Sequence, residues 1–313
     1  MLQPDLQSLK LAHMANNMKL FALLFLFLIA AAGEAPVLAE PGRSIVMMTE
    51  AHGPFGGGRA YVPVSFGGFL GLMRFDTGAS TSRIALAPWN RDLPSIGKSQ
   101  SLAASGQVSL CDDVEARNVE LRASEGNNIG RAKYVVTRCG AGNELLGLDF
   151  FRGTRLTLDF GLKEMIFFDT AASRSAPQPF ELLGPDRRLL GAPLQLGATP
   201  ILGLFDTGAE LCAIDRSFVQ AHRNLFTFVR YRLRADGAGG GAFSPDLYRI
   251  KKLDLGGGLV FRDIYVLVYD FGKMRQALGA RTPMILGYNL LRKLRWDLDF
   301  TLAGAPTWAA RPQ

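Results

Sequence analysis

Phe75-Asp76-Thr77-Gly78-Ala79 recurs letter for letter as Phe205-Asp206-Thr207-Gly208-Ala209, 130 positions further on. A second block follows each copy. Leu145-Leu146-Gly147-Leu148-Asp149-Phe150-Phe151-Arg152 corresponds to Ile285-Leu286-Gly287-Tyr288-Asn289-Leu290-Leu291-Arg292, at an offset of 140, and the match runs on without a gap to Leu158-Asp159-Phe160 and Leu298-Asp299-Phe300. Two blocks in the same order describe a duplicated unit. The change of offset puts ten extra residues in the second copy, in the stretch from Gly237 to Pro245.

Each copy reads mainly as strand. Ala60–Phe66, Leu70–Phe75, Val108–Leu110, Val119–Leu121 and Tyr134–Thr137 have strand composition or alternation in the first copy. Pro193–Leu196, Ile201–Phe205, Tyr231–Arg234, Tyr248–Leu255 and Ile264–Tyr269 take those parts in the second. Gly67-Gly68 and Gly256-Gly257-Gly258 punctuate hairpins. Helix is expected only from Asp215, a capping residue, to Phe226, and briefly after each Leu-Gly block. The expectation is an all-β chain of two homologous barrel-like lobes: residues 40–169, a linker over 170–187, and residues 188–313.

The chain has 313 residues and a formal charge of +7, but Lys and Arg are dispersed, so the clustered footprint of nucleic-acid binding is missing. Arg230, Arg232 and Arg234 alternate as the solvent face of a strand would. Lys19, the apolar run Leu20–Ala32 and the small residues of Val37-Leu38-Ala39 follow the order of a secretory signal. Residues 1–39 are therefore expected to be removed, with Met18 as a candidate start, leaving a periplasmic or secreted chain without stable membrane insertion. Cys111 and Cys139 are able to pair in an oxidising compartment, leaving Cys212 single. His13, His52 and His222 are scattered, so neither a metal nor a cofactor is expected.

Two carboxyl groups ~3 Å apart cannot both ionise, so such a pair holds one proton. The charged member can deprotonate a water while the protonated member donates to a peptide carbonyl, and their titration belongs to the pair. Asp76 and Asp206 suit this chemistry if their turns face one another. Gly78 and Gly208 permit the tight backbone, and the hydroxyls of Thr77 and Thr207 are placed to reach across to the other turn.

These blocks resemble the retropepsin-like aspartic proteases, the superfamily that includes pepsin. The resemblance covers roughly residues 59–168 and 188–303. It implies an aspartic endopeptidase with Asp76 and Asp206 as catalytic pair, braced by Thr77, Gly78, Thr207 and Gly208, with Leu146-Gly147 and Leu286-Gly287 under the two loops. It also implies substrate-covering flaps, placed by sequence position at Ala103–Val108 and Asp236–Gly241. Ser105, Gly106, Gly237 and Ala238 are the candidate substrate contacts, and neither flap carries the pepsin tyrosine. The implied partner is a peptide or protein substrate, and the implied state is a monomer with an intramolecular pair rather than a dimer that builds its site between chains. The alternative is a catalytically silent envelope protein that binds peptides with the same fold.

Ala79 and Ala209 stand where pepsin-like enzymes have Ser or Thr. Without that hydroxyl donor the pair should be harder to ionise, which moves activity to a less acidic pH. Asp149 and Asn289 read as helix caps, Asp159 and Asp299 as strand-edge ion-pair partners, and Cys212 as a small buried residue. The glycine-rich stretch His52–Gly58 reads as a flexible leader.

Overall fold

The computed structural model describes residues 42–102, 108–124, 126–140, 142, 144–168, 177–236, 242–301 and 306–313. They form an all-β protein of two barrel-like lobes. An eight-stranded sheet makes the first lobe, a ten-stranded sheet the second, and a six-stranded sheet takes strands from both. Among the described residues the α-helices are short: Arg216–Ala221, Lys273–Leu278 and Tyr288–Leu291.

The shared sheet brings the two repeated sequence segments side by side. At its centre Arg155–Asp159 pairs antiparallel with its own repeat, Leu294–Asp299, in the register Arg155↔Asp299, Thr157↔Asp297 and Asp159↔Arg295. Each contact therefore occurs twice, as across a two-fold axis. Arg155 pairs with Asp299 at 2.6 Å, and Arg295 with Asp159 at 3.3 Å. The two repeated aspartates thus form ion pairs at the middle of the sheet, not at a strand edge, because the pseudo-axis joins them. Flanking strands are Glu164–Phe168 and Arg43–Val46 on one side, and Thr307–Pro312 and Gln178–Pro179 on the other.

Both strands that lead to an aspartate end on a phenylalanine with no room to move. Phe75 and Phe205 are almost wholly buried. Phe75 meets Phe151 edge-on at 5.2 Å, and Phe205 meets Trp296 at 4.9 Å and Phe180 at 5.5 Å. Truncating such a ring costs ~3–5 kcal/mol, so the residue before each aspartate pins its strand end to the core.

Several expectations are corrected. Val108–Leu121 is one strand rather than two, paired along its length with Ile129–Cys139 and with Ser95–Leu102. Tyr231–Arg234 is not a strand. Phe226–Arg230 is, after which Arg232 adopts φ 49° and donates its backbone N–H to Asp246, ending the pairing. Tyr248–Leu255 divides into Asp246–Ile250 and Leu253–Asp254. Asp215 does cap its helix, accepting from Ser217 N at 2.8 Å, but the helix stops at Ala221 and a 3-10 turn continues to Leu225. Of the expected linker, residues 170–176 lie outside the described residues, whereas Gln178–Pro179 and Glu181–Leu183 are strands.

His52–Gly58 is no leader but the turn of a hairpin, Met48–His52 against Gly57–Phe66. Its glycines serve close approach: a Cβ on Gly58 would lie 2.6 Å from the Tyr288 ring. Phe55 at the turn packs on Tyr265 at 5.0 Å. The first lobe thereby reaches onto the second. Cys111 and Cys139 form a disulfide within the first lobe, and Cys212 is buried and free.

Candidate active site

The two Asp-Thr-Gly loops face each other and are tied by four reciprocal hydrogen bonds. Thr77 N donates to Thr207 Oγ1 at 3.0 Å and Thr207 N to Thr77 Oγ1 at 3.0 Å. Each hydroxyl passes its own proton across the axis, Thr77 Oγ1 to Phe205 O at 2.8 Å and Thr207 Oγ1 to Phe75 O at 2.9 Å. Both threonines are buried, so every donor and acceptor in this ring must be satisfied internally. Threonine suits the position because one hydroxyl both accepts and donates.

The Leu-Gly blocks lie beneath the loops. Leu146 pairs in parallel with Phe75, and Leu286 with Phe205. Asp76 N then donates to Leu146 O at 3.0 Å, and Asp206 N to Leu286 O at 3.1 Å. From the far side Leu148 N reaches Ala79 O at 2.9 Å and Tyr288 N reaches Ala209 O at 2.7 Å. The intervening glycine is required by space: a Cβ on Gly147 would sit 2.7 Å from the Thr81 carbonyl carbon, and one on Gly287 would sit 2.7 Å from Cys212 N.

Asp149 and Asn289 do not cap their own helical turns; Gly147 and Gly287 occupy those positions. Instead their side chains hold the far end of each loop. Asp149 Oδ1 accepts from Ser82 N at 2.9 Å, and Asn289 Oδ1 from Cys212 N at 2.8 Å. Ser82 and Cys212 are themselves equivalent, accepting from Gly147 N at 2.8 Å and Gly287 N at 3.3 Å. Cys212 is thus a buried loop brace, and burial pushes its thiol up to about 12.

Within this frame the carboxyl groups of Asp76 and Asp206 face one another closely enough to interact directly. Each also accepts from its own loop: Gly78 N to Asp76 Oδ1 at 3.0 Å, Gly208 N to Asp206 Oδ1 at 2.8 Å, and Ala209 N to Asp206 Oδ1 at 3.0 Å. Each carboxyl rests on the glycine of the other loop. A Cβ on Gly78 would be 2.6 Å from Asp206 Oδ2, and one on Gly208 would be 2.5 Å from Asp76 Oδ2. Burial raises both carboxyls above the usual aspartate range. Asp206 is pushed up to about 8, first by loss of hydration and next by the charge of Asp76. Asp206 keeps more solvent-accessible surface than Asp76, and two like charges this close retain a proton between them.

The sequence reading missed Arg74. It is buried two residues before Asp76, donates from Nη2 to the Gly208 carbonyl of the opposite loop, and favours ionisation of both aspartates. A single charge in the apolar run Phe69–Phe75, where the other copy has Leu204, was the available signal. Beside the loops, Arg59 Nε donates to Glu210 at 2.6 Å and His52 Nδ1 lies 3.0 Å from the same carboxylate, a second tie between lobes. Ser105, Gly106, Gly237 and Ala238 lie outside the described residues; the strands flanking them, Ser95–Leu102 with Val108–Leu121 and Ala235–Asp236 with Ala242–Phe243, pair with each other.

The family model described as aspartyl protease matches residues 192–290, which include Asp206 and the second Leu-Gly block. No curated protein sequence matches the chain. Among solved structures, basic 7S globulin from soybean is similar at 11% identity and a TM-score of 0.49, over 86% of this chain and 95% of that one. Conglutin gamma, a basic 7S globulin from lupine seeds, is similar at 9% identity and a TM-score of 0.48, over 87% and 96%.

Proposed function

We propose that this chain is an aspartic endopeptidase of two retropepsin-like units in tandem, with Asp76 and Asp206 as its catalytic residues. The observation that carries the reading is the seating of each carboxyl against the glycine of the opposite loop, on two reciprocally tied loops. A pair that keeps one proton can act as base and acid in the same step. The charged carboxyl takes a proton from water as its oxygen attacks the peptide carbon, and the protonated one donates to the carbonyl oxygen. Collapse of the tetrahedral species returns a proton to the leaving nitrogen and restores the shared state. The loops supply rigidity, since displacement of a reacting group by an ångström is costly in rate. The match of residues 192–290 to an aspartyl protease family supports the same reading.

The substrate is a peptide or protein, and the site is complete within one monomer. Export to the periplasm or medium fits the Cys111–Cys139 disulfide, which an oxidising compartment maintains. The test is hydrolysis of a mixed peptide library by the purified protein. Asp76→Asn and Asp206→Asn should each abolish cleavage while near-ultraviolet circular dichroism stays native. Retained cleavage in both variants refutes the mechanism; a folded wild-type protein that binds but never cuts identifies a silent peptide-binding protein instead.

A further inference from the structure

The two copies differ in charge where they flank the carboxyl pair. Two positions before the aspartate one copy has Arg74 and the other Leu204; seven positions after it, Arg83 stands opposite Ala213. In the first lobe both arginines are buried and both charges act on Asp76, while that of Arg74 acts on Asp206 too. Arg83 Nη1 lies 3.4 Å from Ser101 Oγ, on the strand Ser95–Leu102. Arg74 Nε is buried without a hydrogen-bond partner among the described residues. An unused cationic donor beside a reaction site is costly unless a ligand or water engages it.

The second lobe presents the opposite chemistry. Leu204 and Ala213 belong to an apolar cluster, separate from the main core, with Tyr269 and Phe271, and Ala209 and Phe243 pack against it. Tyr269 lies close enough to Asp206 to feel its charge. The first lobe therefore brings cationic groups to the carboxyl pair, and the second an apolar and aromatic cluster.

An extended peptide points successive side chains to opposite sides. If the pseudo-two-fold axis passes through the bond to be cut, the residues flanking it face different lobes. We propose that the site selects peptides with a carboxylate side chain on one side of that bond and an apolar side chain on the other, Arg74 and Arg83 setting the acidic preference. This rests on the peptidase reading above. A guanidinium is suited to the task because its planar fork meets a carboxylate at two donors.

The test uses statine-type peptides that differ at one position, Glu, Gln or Leu, placed next to the statine on one side and then on the other. Binding to the full chain is measured by calorimetry. In one placement Glu should bind on the order of tenfold or more tighter than the isosteric Gln, and in the other Leu should win. Arg74→Leu, which copies the second lobe, should erase the Glu preference, and Arg74→Lys should keep most of it. Arg83→Ala is the parallel variant should Arg74→Leu fail to fold. Equal or weaker binding of Glu than Gln in both placements overturns the proposal, and so does failure of all three peptides to bind. Cleavage of the corresponding statine-free peptides reads the peptidase activity separately: preference without cleavage sinks that reading, and cleavage without preference sinks only this one.

Discussion

Gly78→Ala should disable the site while leaving the fold in place. The added Cβ would fall 2.6 Å from Asp206 Oδ2 and nearer still to its Cγ and Oδ1, whereas ordinary contact begins at 3.4 Å. The Asp206 side chain is short and is held by Gly208 N and Ala209 N, so it has no free rotamer into which to withdraw. It must move by about 1 Å, a displacement that costs roughly 10²-fold in rate when reacting groups are misplaced. The overpacking should destabilise the protein by ~1–3 kcal/mol. Gly71→Ala is the control, because that exposed position on the strand leading into the loop has nothing within 4 Å of an added Cβ. The assay is kcat/KM on a cleaved peptide together with urea unfolding of all three proteins. If Gly78→Ala retains kcat/KM within threefold of wild type, the carboxyl does not rest on the opposite glycine and the geometry argued above is wrong.

Other consequences can be measured on the same preparations. Thr207→Val leaves Phe75 O and Thr77 N buried without their partner, so unfolding free energy should fall by ~1–3 kcal/mol for each orphaned group; an unchanged urea midpoint contradicts the reciprocal ring. Raised carboxyls bind protons in the native state that the unfolded chain has released, so the pair's stabilising effect is full below the ordinary aspartate range near ~4 and is lost as pH rises toward about 8. Asp206→Asn should therefore gain stability relative to wild type as pH rises, and a constant difference between the two from pH 4 to 8 refutes the upward shift. For the same reason kcat/KM should peak at a less acidic pH than pepsin's, and a maximum near ~2 would contradict it. Reducing Cys111–Cys139, which closes a separation of 28 residues, should cost roughly 3–4 kcal/mol, read as a fall in melting temperature.

Much of this architecture was legible because the chain states it twice. The two Asp-Thr-Gly blocks and the two Leu-Gly blocks predicted paired loops with supports beneath, and the parallel pairing of Phe75 with Leu146 and Phe205 with Leu286 is that arrangement. What stayed hidden depends on contacts between residues far apart in sequence. Asp149 and Asn289 look like caps because they follow a glycine at a helix start, yet their partners are 67 and 77 residues away in sequence. Arg74 is a residue of one strand whose role is defined by a carbonyl of the other lobe. The His52–Gly58 stretch looks mobile by composition, whereas its glycines let a hairpin lie against Tyr288. Local composition reports backbone freedom; it does not report what the backbone is free to approach.

Everything proposed here turns on two acids of a single polypeptide gripping one reacting centre. A crystal structure of the protein with a statine-type peptide measures this most directly. The statine hydroxyl should lie within hydrogen-bonding distance of both Asp76 and Asp206 of the same molecule. A hydroxyl held by one aspartate alone, or by aspartates from two molecules, would contradict it.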